Sequence, residues 1–485
     1  MNRKLPNSTG TSKVYLSLCT YLLVLLVGTL ALFLVDSSKI GIVLLFVFSL
    51  VFTIYILQHR SDKVQFIPIA ILMIWLLSTI FLFEFGPYSY PVKNRNLLYF
   101  YLGGIHLALF MGYIKGSKAR MLDHIRKYRV KEILKFFMIG SGLFVLVNLP
   151  YLISSIPNIF SVIHGNAFTI RNVYLVAGGQ WKDYISMFLY FFNNTFLILT
   201  IYYWESTNFL VHCFFIIDFI LNLLSSIVVA ARAGIFGALV LIAFSLIAAY
   251  FSGNLKKSIG RFLLVFSLLL AFFLVYSNFI SVTRTSTGTF IAQNPIPGAE
   301  LNKDSALFRV IPKFAQPLGF TGIVYFSHGY YGLSLCLEKP FIGIAFGAGE
   351  SMFLTRNIAR LFNWDHIYYL SYPFRLQLED GFSASAWVTA YPWIASDVTF
   401  IGSIFVLYVL GYLLALAWKD VSIRHSPFGV VAFVTLSTVI IFLPMSSTTQ
   451  DGPGFVNFYM VLIVWWVMRS RLVQRKPERE LGPSI

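Results

Sequence analysis

The chain has few charges and very few cysteines. Charged residues make up 12% of the 485 residues, and the only cysteines are Cys19, Cys213 and Cys336. Cys19 and Cys213 lie in apolar runs, so the hydrophilic segments cannot form a disulfide within one chain, and no Cys-x-x-Cys metal spacing occurs. The sequence also has no Walker or glycine-rich phosphate loop. These absences exclude a disulfide scaffold, a zinc ribbon and a P-loop nucleotide domain.

Long apolar runs are abundant instead. Hydrophobic residues reach 58% of the chain, above the roughly 45–50% of soluble domains. Runs of about 20 residues with almost no charge are long enough to cross ~30 Å of hydrocarbon. The sequence therefore predicts an all-α polytopic membrane protein with about twelve transmembrane helices. The predicted spans are 14–35, 40–57, 64–83, 97–114, 136–155, 185–204, 208–229, 234–251, 262–282, 398–418, 428–445 and 455–468.

The basic residues predict the orientation of these spans. With the N-terminus in the cytoplasm, the cytoplasmic segments hold about 23 Lys and Arg against about 7 Asp and Glu, whereas the outer segments hold about 14 and 12. The formal charge of +17 is thus mostly the positive-inside signature together with attraction to membrane lipids, and nucleic acid is not an expected partner. Both termini are predicted to be cytoplasmic.

One outer segment is much longer than the others. Residues 1–282 contain spans one to nine, residues 283–397 form a large outer loop between spans nine and ten, and residues 398–485 contain the last three spans and a basic tail. The longest cytoplasmic loop is about 21 residues, below the ~50 that a small domain needs. A reaction is therefore expected at the outer face, with an activating group carried there on a membrane lipid.

Arg232 is the first candidate binding residue, at the outer junction of spans seven and eight. An arginine near hydrocarbon is costly unless it is paired, snorkels or has a function. It either snorkels to lipid phosphates or grips the phosphate of a lipid-linked substrate through its forked guanidinium. Deeper in span seven, Asp218 belongs to a polar stripe that is either a hydrogen-bonded structural element or part of a substrate path.

The outer segments hold further candidates. Arg171, Arg284, Arg309 and Arg375 are arginines that a lipid diphosphate would need as donors. His328, in YFSHGYYG, is either a structural histidine or a general base whose ordinary pKa suits removal of a proton from a sugar hydroxyl.

The stretch 372–400, YPFRLQLEDGFSASAWVTAYPWIASDVTF, mixes charges with flat rings beside a long apolar run. Trp387, Tyr391 and Trp393 form either an interfacial aromatic belt or a platform that stacks on sugars. Asp397 either caps the tenth span at its N-terminus or acts as a functional carboxylate.

Five segments together resemble a known family. AARAG at 230–234, YFSHGYYGLSL at 325–335, FGAGES at 346–351, YPFR at 372–375 and WVTAYPWIASDVTFIG at 387–402 are similar to those of Wzy-type oligosaccharide repeat-unit polymerases. The resemblance implies a metal-independent glycosyltransferase of GT-C-like fold, without a cofactor, in the bacterial inner membrane. It also implies that undecaprenyl-diphosphate-linked oligosaccharides are polymerised into O-antigen or capsule at a periplasmic active site, with a chain-length regulator protein as a candidate partner.

By that resemblance, Arg232 and Arg375 would hold diphosphate, and His328 or Asp397 would activate the acceptor hydroxyl. Two alternatives stay open. An O-antigen ligase uses the same donor but a finished lipid core as acceptor, and a polysaccharide flippase or transporter moves the lipid-linked glycan without joining it. The single large loop and the lack of an internal repeat count against a transporter built from two related halves.

Overall fold

The protein is described here by a computed structural model that covers residues 38–58, 64–119, 128–164, 181–283, 297–302, 305, 310–382 and 388–474. Its helices in chain order are α1 Ser38–Gln58, α2 Ile67–Phe85, α3 Arg95–Lys118, α4 Val130–Ile163, α5 Trp181–Tyr202, α6 Phe209–Val228, α7 Ala233–Phe251, α8 Ile259–Thr283, α9 Gln316–Leu337, α10 Met352–Phe362, α11 Ile367–Leu370, α12 Tyr372–Asp380, α13 Ala390–Ser422, α14 Pro427–Phe442 and α15 Gly452–Gln474. Two short strands, β1 Tyr88–Ser89 and β2 Glu300–Leu301, pair antiparallel.

The helices confirm a polytopic all-α membrane protein. Eight of them, α2 to α8 and α13, are long and apolar enough to cross a bilayer. Each predicted span within the described residues coincides with a helix, whereas the first predicted span, 14–35, lies outside those residues. At 16 residues, α14 would measure about 24 Å, less than the hydrocarbon core. The structure thus supports several spans without establishing twelve.

The helix ends form two groups. At one end, called the basic end, Lys419 donates to the carbonyl of Ala119 at 2.6 Å and Arg469 pairs with Asp420 at 2.5 Å. At the same end, Glu205 accepts the backbone N–H of Lys257 at 2.6 Å. The sequence assigns all these residues to segments on the cytoplasmic side of the membrane. Their contacts in the structure agree with that assignment.

The opposite end, called the cap end, carries the described part of residues 297–389. There the N–H of Ala390 donates to the carbonyl of Leu443 at 2.9 Å, and the N–H of Phe353 donates to Gln450 at 3.0 Å. Strand β2 of the large loop pairs with β1, which follows α2. The described part of the large loop is therefore folded onto the helix bundle.

Helices α3 and α13 pack with their backbones in direct contact. A Cβ added at Gly112 would lie 1.8 Å from the carbonyl oxygen of Tyr408, and one added at Gly411 would lie 1.9 Å from that of Leu109. Small residues of this kind let two membrane helices approach backbone to backbone. This contact fixes α13, which carries several of the candidate residues.

Helix α13 begins earlier than the predicted span. It starts at Ala390 and is interrupted at Thr399, whose φ of 66° is left-handed. The Thr399 hydroxyl accepts the N–H of Gly402 at 3.2 Å, so Thr399 caps the second part of the helix. Asp397 therefore does not serve as the N-terminal cap, and the predicted boundary between residues 397 and 398 falls inside a helix.

Candidate functional site

Helix α9 is the central element of the cap end. It is not one of the eight apolar spans, yet most of its side chains are buried. Phe326 packs edge-on against Trp75 of α2, and Thr321 hydrogen-bonds Ser281 of α8 at 3.1 Å. Near its other end, Cys336 lies 4.0 Å from the carbonyl of Tyr372. Because α9 crosses between these elements, it connects residues that are distant in sequence.

Arg232 lies between α6 and α7 and reaches the first half of α9. Its Nη1 donates to Ser281 at 2.7 Å, and its guanidinium carbon lies 5.2 Å from the ring centre of Tyr325. Its Nε is buried without a hydrogen-bond partner among the described residues. The described partners of this cation are thus neutral hydroxyl groups and a ring.

His328 lies one turn beyond Tyr325 on α9 and is fully buried. Its Nδ1 contacts the hydroxyl of Tyr90, and the rings of Tyr88 and Tyr90 meet it edge-on at 5.0 and 5.2 Å. Burial lowers the pKa of His328 to about 3. The imidazole is therefore neutral at physiological pH but a weak base, and any acceptor sugar must first displace the packing around it.

Arg375 lies on α12, beside the other end of α9. Its side chain is nearly buried, its Nη2 donates to the carbonyl of Pro340 at 2.8 Å, and its guanidinium carbon lies 4.7 Å from the ring centre of Tyr372. The Nε atom again has no hydrogen-bond partner among the described residues. A guanidinium removed from water in this way is costly unless an anion compensates it.

The structure does not bring Arg232 and Arg375 together. Arg232 touches α9 at Tyr325, whereas Arg375 contacts Tyr372, which lies against Cys336. These two positions on α9 are about 16 Å apart at 1.5 Å per residue. The two arginines therefore approach different parts of α9.

Among the described residues, no carboxylate lies within ion-pair distance of Arg232 or Arg375. Nearby carboxylates are engaged elsewhere. Lys339 pairs with Glu379 at 2.5 Å and with Asp380 at 2.6 Å. Lys339 thus balances one of the two negative charges of this acidic pair.

Asp397 holds the loop that follows α9. Its Oδ1 accepts the N–H of Gly347 at 2.9 Å and its Oδ2 accepts the N–H of Glu350 at 3.0 Å. Phe346 and Gly347 both have left-handed φ angles, 54° and 85°. In this turn, the backbone N–H groups of Gly347 and Glu350 point toward the Asp397 carboxylate. A Cβ at Gly349 would lie 2.9 Å from Oδ2, so the backbone packs directly on Asp397.

Glu350 is a candidate that the sequence analysis did not single out. Its carboxylate accepts a hydrogen bond from the hydroxyl of Tyr459, and the residue is half-buried. Burial raises the pKa of the Glu350 carboxyl, the Tyr459 hydroxyl opposes that shift, and the charge of Asp397 adds to it. The only sequence signal was its position in FGAGES. Its role depends on Tyr459 and Asp397, which lie far along the chain.

The aromatic residues of 372–400 occupy different places from those expected. Tyr391 and Trp393 are fully buried, with Tyr391 edge-on to Tyr101 and Trp393 edge-on to Phe374. Their rings are enclosed by protein and present no face to a sugar or to lipid, which corrects both earlier interpretations. Four further candidates, Arg171, Arg284, Arg309 and Trp387, lie outside the described residues.

Asp218 belongs to a separate polar cluster inside the bundle. It accepts hydrogen bonds from Ser141 at 2.8 Å, from Asn193 at 2.7 Å and from Asn222 at 3.0 Å. These bonds join α4, α5 and α6. The arrangement favours the structural interpretation of the stripe over a substrate path.

Among the described residues, no group of three or more His, Cys, Asp or Glu side chains is placed to hold a metal ion. No known family model, curated protein or solved structure matches this chain. The function is therefore argued from the cap-end residues and the sequence resemblance.

Proposed function

We propose that the protein polymerises lipid-linked oligosaccharide repeat units at the cap end, which would face the periplasm. The observation that carries the proposal is the pair of arginines without a described carboxylate partner, Arg232 and Arg375, at separate points of one buried helix. Polymerisation joins two molecules that each carry a diphosphate. Two separate guanidinium groups suit two such anions, since the planar fork binds phosphate oxygens in pairs.

The reaction requires one bond to form and one to break. A hydroxyl of the acceptor repeat attacks the anomeric carbon of the donor chain, and the bond between that carbon and the phosphate oxygen breaks. The lipid diphosphate leaves with the electron pair, and an arginine stabilises the charge that it gains. The hydroxyl proton passes to a base on the protein.

Two side chains are candidates for that base. His328 lies one turn beyond Tyr325, which Arg232 contacts, and Glu350 lies on the loop that follows Pro340, whose carbonyl accepts from Arg375. Burial lowers the pKa of His328 away from the working pH and raises that of Glu350 toward it. Asp397, the other candidate from the sequence, uses both oxygens to bind backbone N–H groups of this loop. We assign Asp397 the role of positioning this loop and Glu350 the role of accepting the hydroxyl proton.

The test uses the purified protein in lipid with synthetic undecaprenyl-diphosphate-linked repeats. Arg232→Lys and Arg375→Lys keep the charge but lose the fork, so each is expected to lower the polymerisation rate by about 10- to 100-fold, the value of one or two charge-assisted hydrogen bonds. Arg129→Lys is the matched control, because Arg129 is exposed and paired with Glu132 at 3.1 Å. Wild-type rates in both arginine variants would contradict the proposal.

Glycan analysis of a deletion strain separates the alternatives. Loss of a polymerase leaves single repeats attached to the lipid core. Loss of a ligase leaves long chains on the lipid carrier, and loss of a flippase leaves single repeats on the carrier at the cytoplasmic face. Either of the last two patterns would contradict the polymerase.

A further inference from the structure

The part of the cap from residue 341 to residue 370, called the rim module, exposes its large apolar side chains. Its small buried core contains three alanines, Ala345, Ala348 and Ala359, together with Ile367 and Leu370. The exposed side chains are Phe341, Ile342, Ile344, Phe346, Leu361, Phe362, Trp364 and Tyr369. Phe346 is 84% exposed, Leu361 75% and Phe362 73%. A module with alanines inside and phenylalanines outside marks a contact surface.

The packing places this surface at the edge of the membrane. Tyr184, in the first turn of α5, donates to Asn357 at 2.9 Å and its ring contacts Phe353. The apolar span of α5 begins at Asp183. The rim module therefore stands at the level where this helix enters the hydrocarbon.

The surface also continues an existing lipid-facing one. Tyr184, Ile185 and Phe188 are exposed on consecutive turns of α5, and such side chains on a spanning helix face lipid. Because Tyr184 contacts Phe353 and Asn357, the apolar stripe on α5 meets the rim module at α10.

Two exposed arginines and two rings of the module suit a lipid headgroup layer. Arg356 and Arg360 are exposed on α10, four residues apart and hence on one face. Trp364 and Tyr369 add the rings that are enriched at membrane interfaces. Exposed arginines next to apolar and aromatic side chains are typical of a segment that lies in the interface and binds anionic phosphates.

We propose that the rim module inserts Phe346, Leu361 and Phe362 into the bilayer surface at the cap end, with Arg356 and Arg360 at the level of the lipid phosphates. The occupant of this apolar surface is thus lipid, and neither a second copy nor another protein. This inference does not depend on the polymerase reaction. Phe346 directly precedes Gly347, whose N–H donates to Asp397. The proposed bilayer contact and the candidate site therefore share one loop.

The experiment measures the depth of single spin labels in bilayer discs of phosphatidylethanolamine and phosphatidylglycerol. Labels are placed at residues 346 and 362 in full-length protein whose three native cysteines are replaced by alanine. Phe188 on α5 is the lipid-facing control position and Glu300 on β2, which is exposed, is the aqueous control. At 346 and 362 we expect a ratio of oxygen to nickel-chelate collisions several-fold above that at 300 and close to that at 188.

A ratio equal to that at position 300 would overturn the proposal. A second measurement covers the case in which the cysteine-free protein does not fold. A photoreactive phenylalanine analogue at 362 in the otherwise native chain is expected to form lipid adducts in native membranes, whereas the same analogue at 300 is not. Crosslinks from 362 to a second copy or to another protein, without lipid adducts, would instead show a protein interface.

Discussion

At the scale of single residues, the two carboxylates of the cap end have different environments although they are close together. Asp397 binds two backbone N–H groups through its two oxygens. Glu350 binds one described donor, the hydroxyl of Tyr459, and burial raises the pKa of both carboxyls. Since a general base needs free acceptor capacity, the proposed reaction gives proton transfer to Glu350 and loop positioning to Asp397.

Substitution separates these roles. Glu350→Gln is expected to lower turnover by about 10²- to 10⁴-fold, the usual worth of a general base, with an unchanged thermal unfolding midpoint. Asp397→Asn is expected instead to lower the midpoint, because one of its oxygens becomes an amide that cannot accept the loop N–H, at about 1–3 kcal/mol of stability. The measurements are single-turnover rates and unfolding of the purified protein.

Glu132→Gln is the control, since Glu132 is exposed and lies at the start of α4. If Glu350→Gln keeps normal turnover and His328→Gln loses most of it, the histidine and not Glu350 accepts the proton. Normal turnover in both would leave a mechanism in which the arginines act by stabilising the departing diphosphate.

At the scale of elements, the contact between α3 and α13 supports the cap. Asp397 and the buried Trp393 are both on the first part of α13, and their positions depend on the second part staying close to α3. That closeness relies on glycines, because the backbones of the two helices touch at Gly112 and Gly411.

Gly112→Ala is expected to destabilise the protein by about 1–3 kcal/mol, the typical cost of overpacking. The added Cβ would meet the carbonyl of Tyr408, a backbone atom that cannot rotate away. Gly237→Ala on α7 is the matched control, because nothing lies within 4 Å of its added Cβ. Thermal unfolding in detergent compares the two, and equal midpoints would show that α3 and α13 can separate without cost.

At the scale of the whole molecule, the helix bundle has chemically distinct ends. At the basic end, Arg424 and Arg469 pair with Asp420, and Lys419 donates to the carbonyl of Ala119. The cap end carries the candidate residues and the rim module. If positive residues resist translocation, the basic end faces the cytoplasm and the cap end faces the periplasm.

Reporter fusions test this orientation. Fusions after residues 125, 258 and 480 are expected to report the cytoplasm, and fusions after 170 and 340 the periplasm. The pair at 258 and 340 is decisive, because these residues lie at opposite ends of the bundle. A periplasmic signal at 258 would place Arg232 on the cytoplasmic side and remove it from a periplasmic site.

The sequence alone predicted the membrane class, nearly every described span and the grouping of the connecting segments, because run length and the location of Lys and Arg are local properties. It also pointed to Arg232, Arg375 and His328 as residues at the cap end. It predicted the wrong surroundings for Trp393, since whether a ring is enclosed depends on Phe374 and Met352, which come from other elements.

Only the tertiary structure decided which groups have partners. Glu350 became a candidate because Tyr459 and Asp397 approach it from helices that follow much later in the chain. The left-handed backbone at Phe346 and Thr399 was likewise unpredictable. Residues of these types ordinarily avoid that conformation and adopt it only where surrounding contacts compensate the strain. Periodicity and charge thus determined the layout, while contacts between distant residues determined the site.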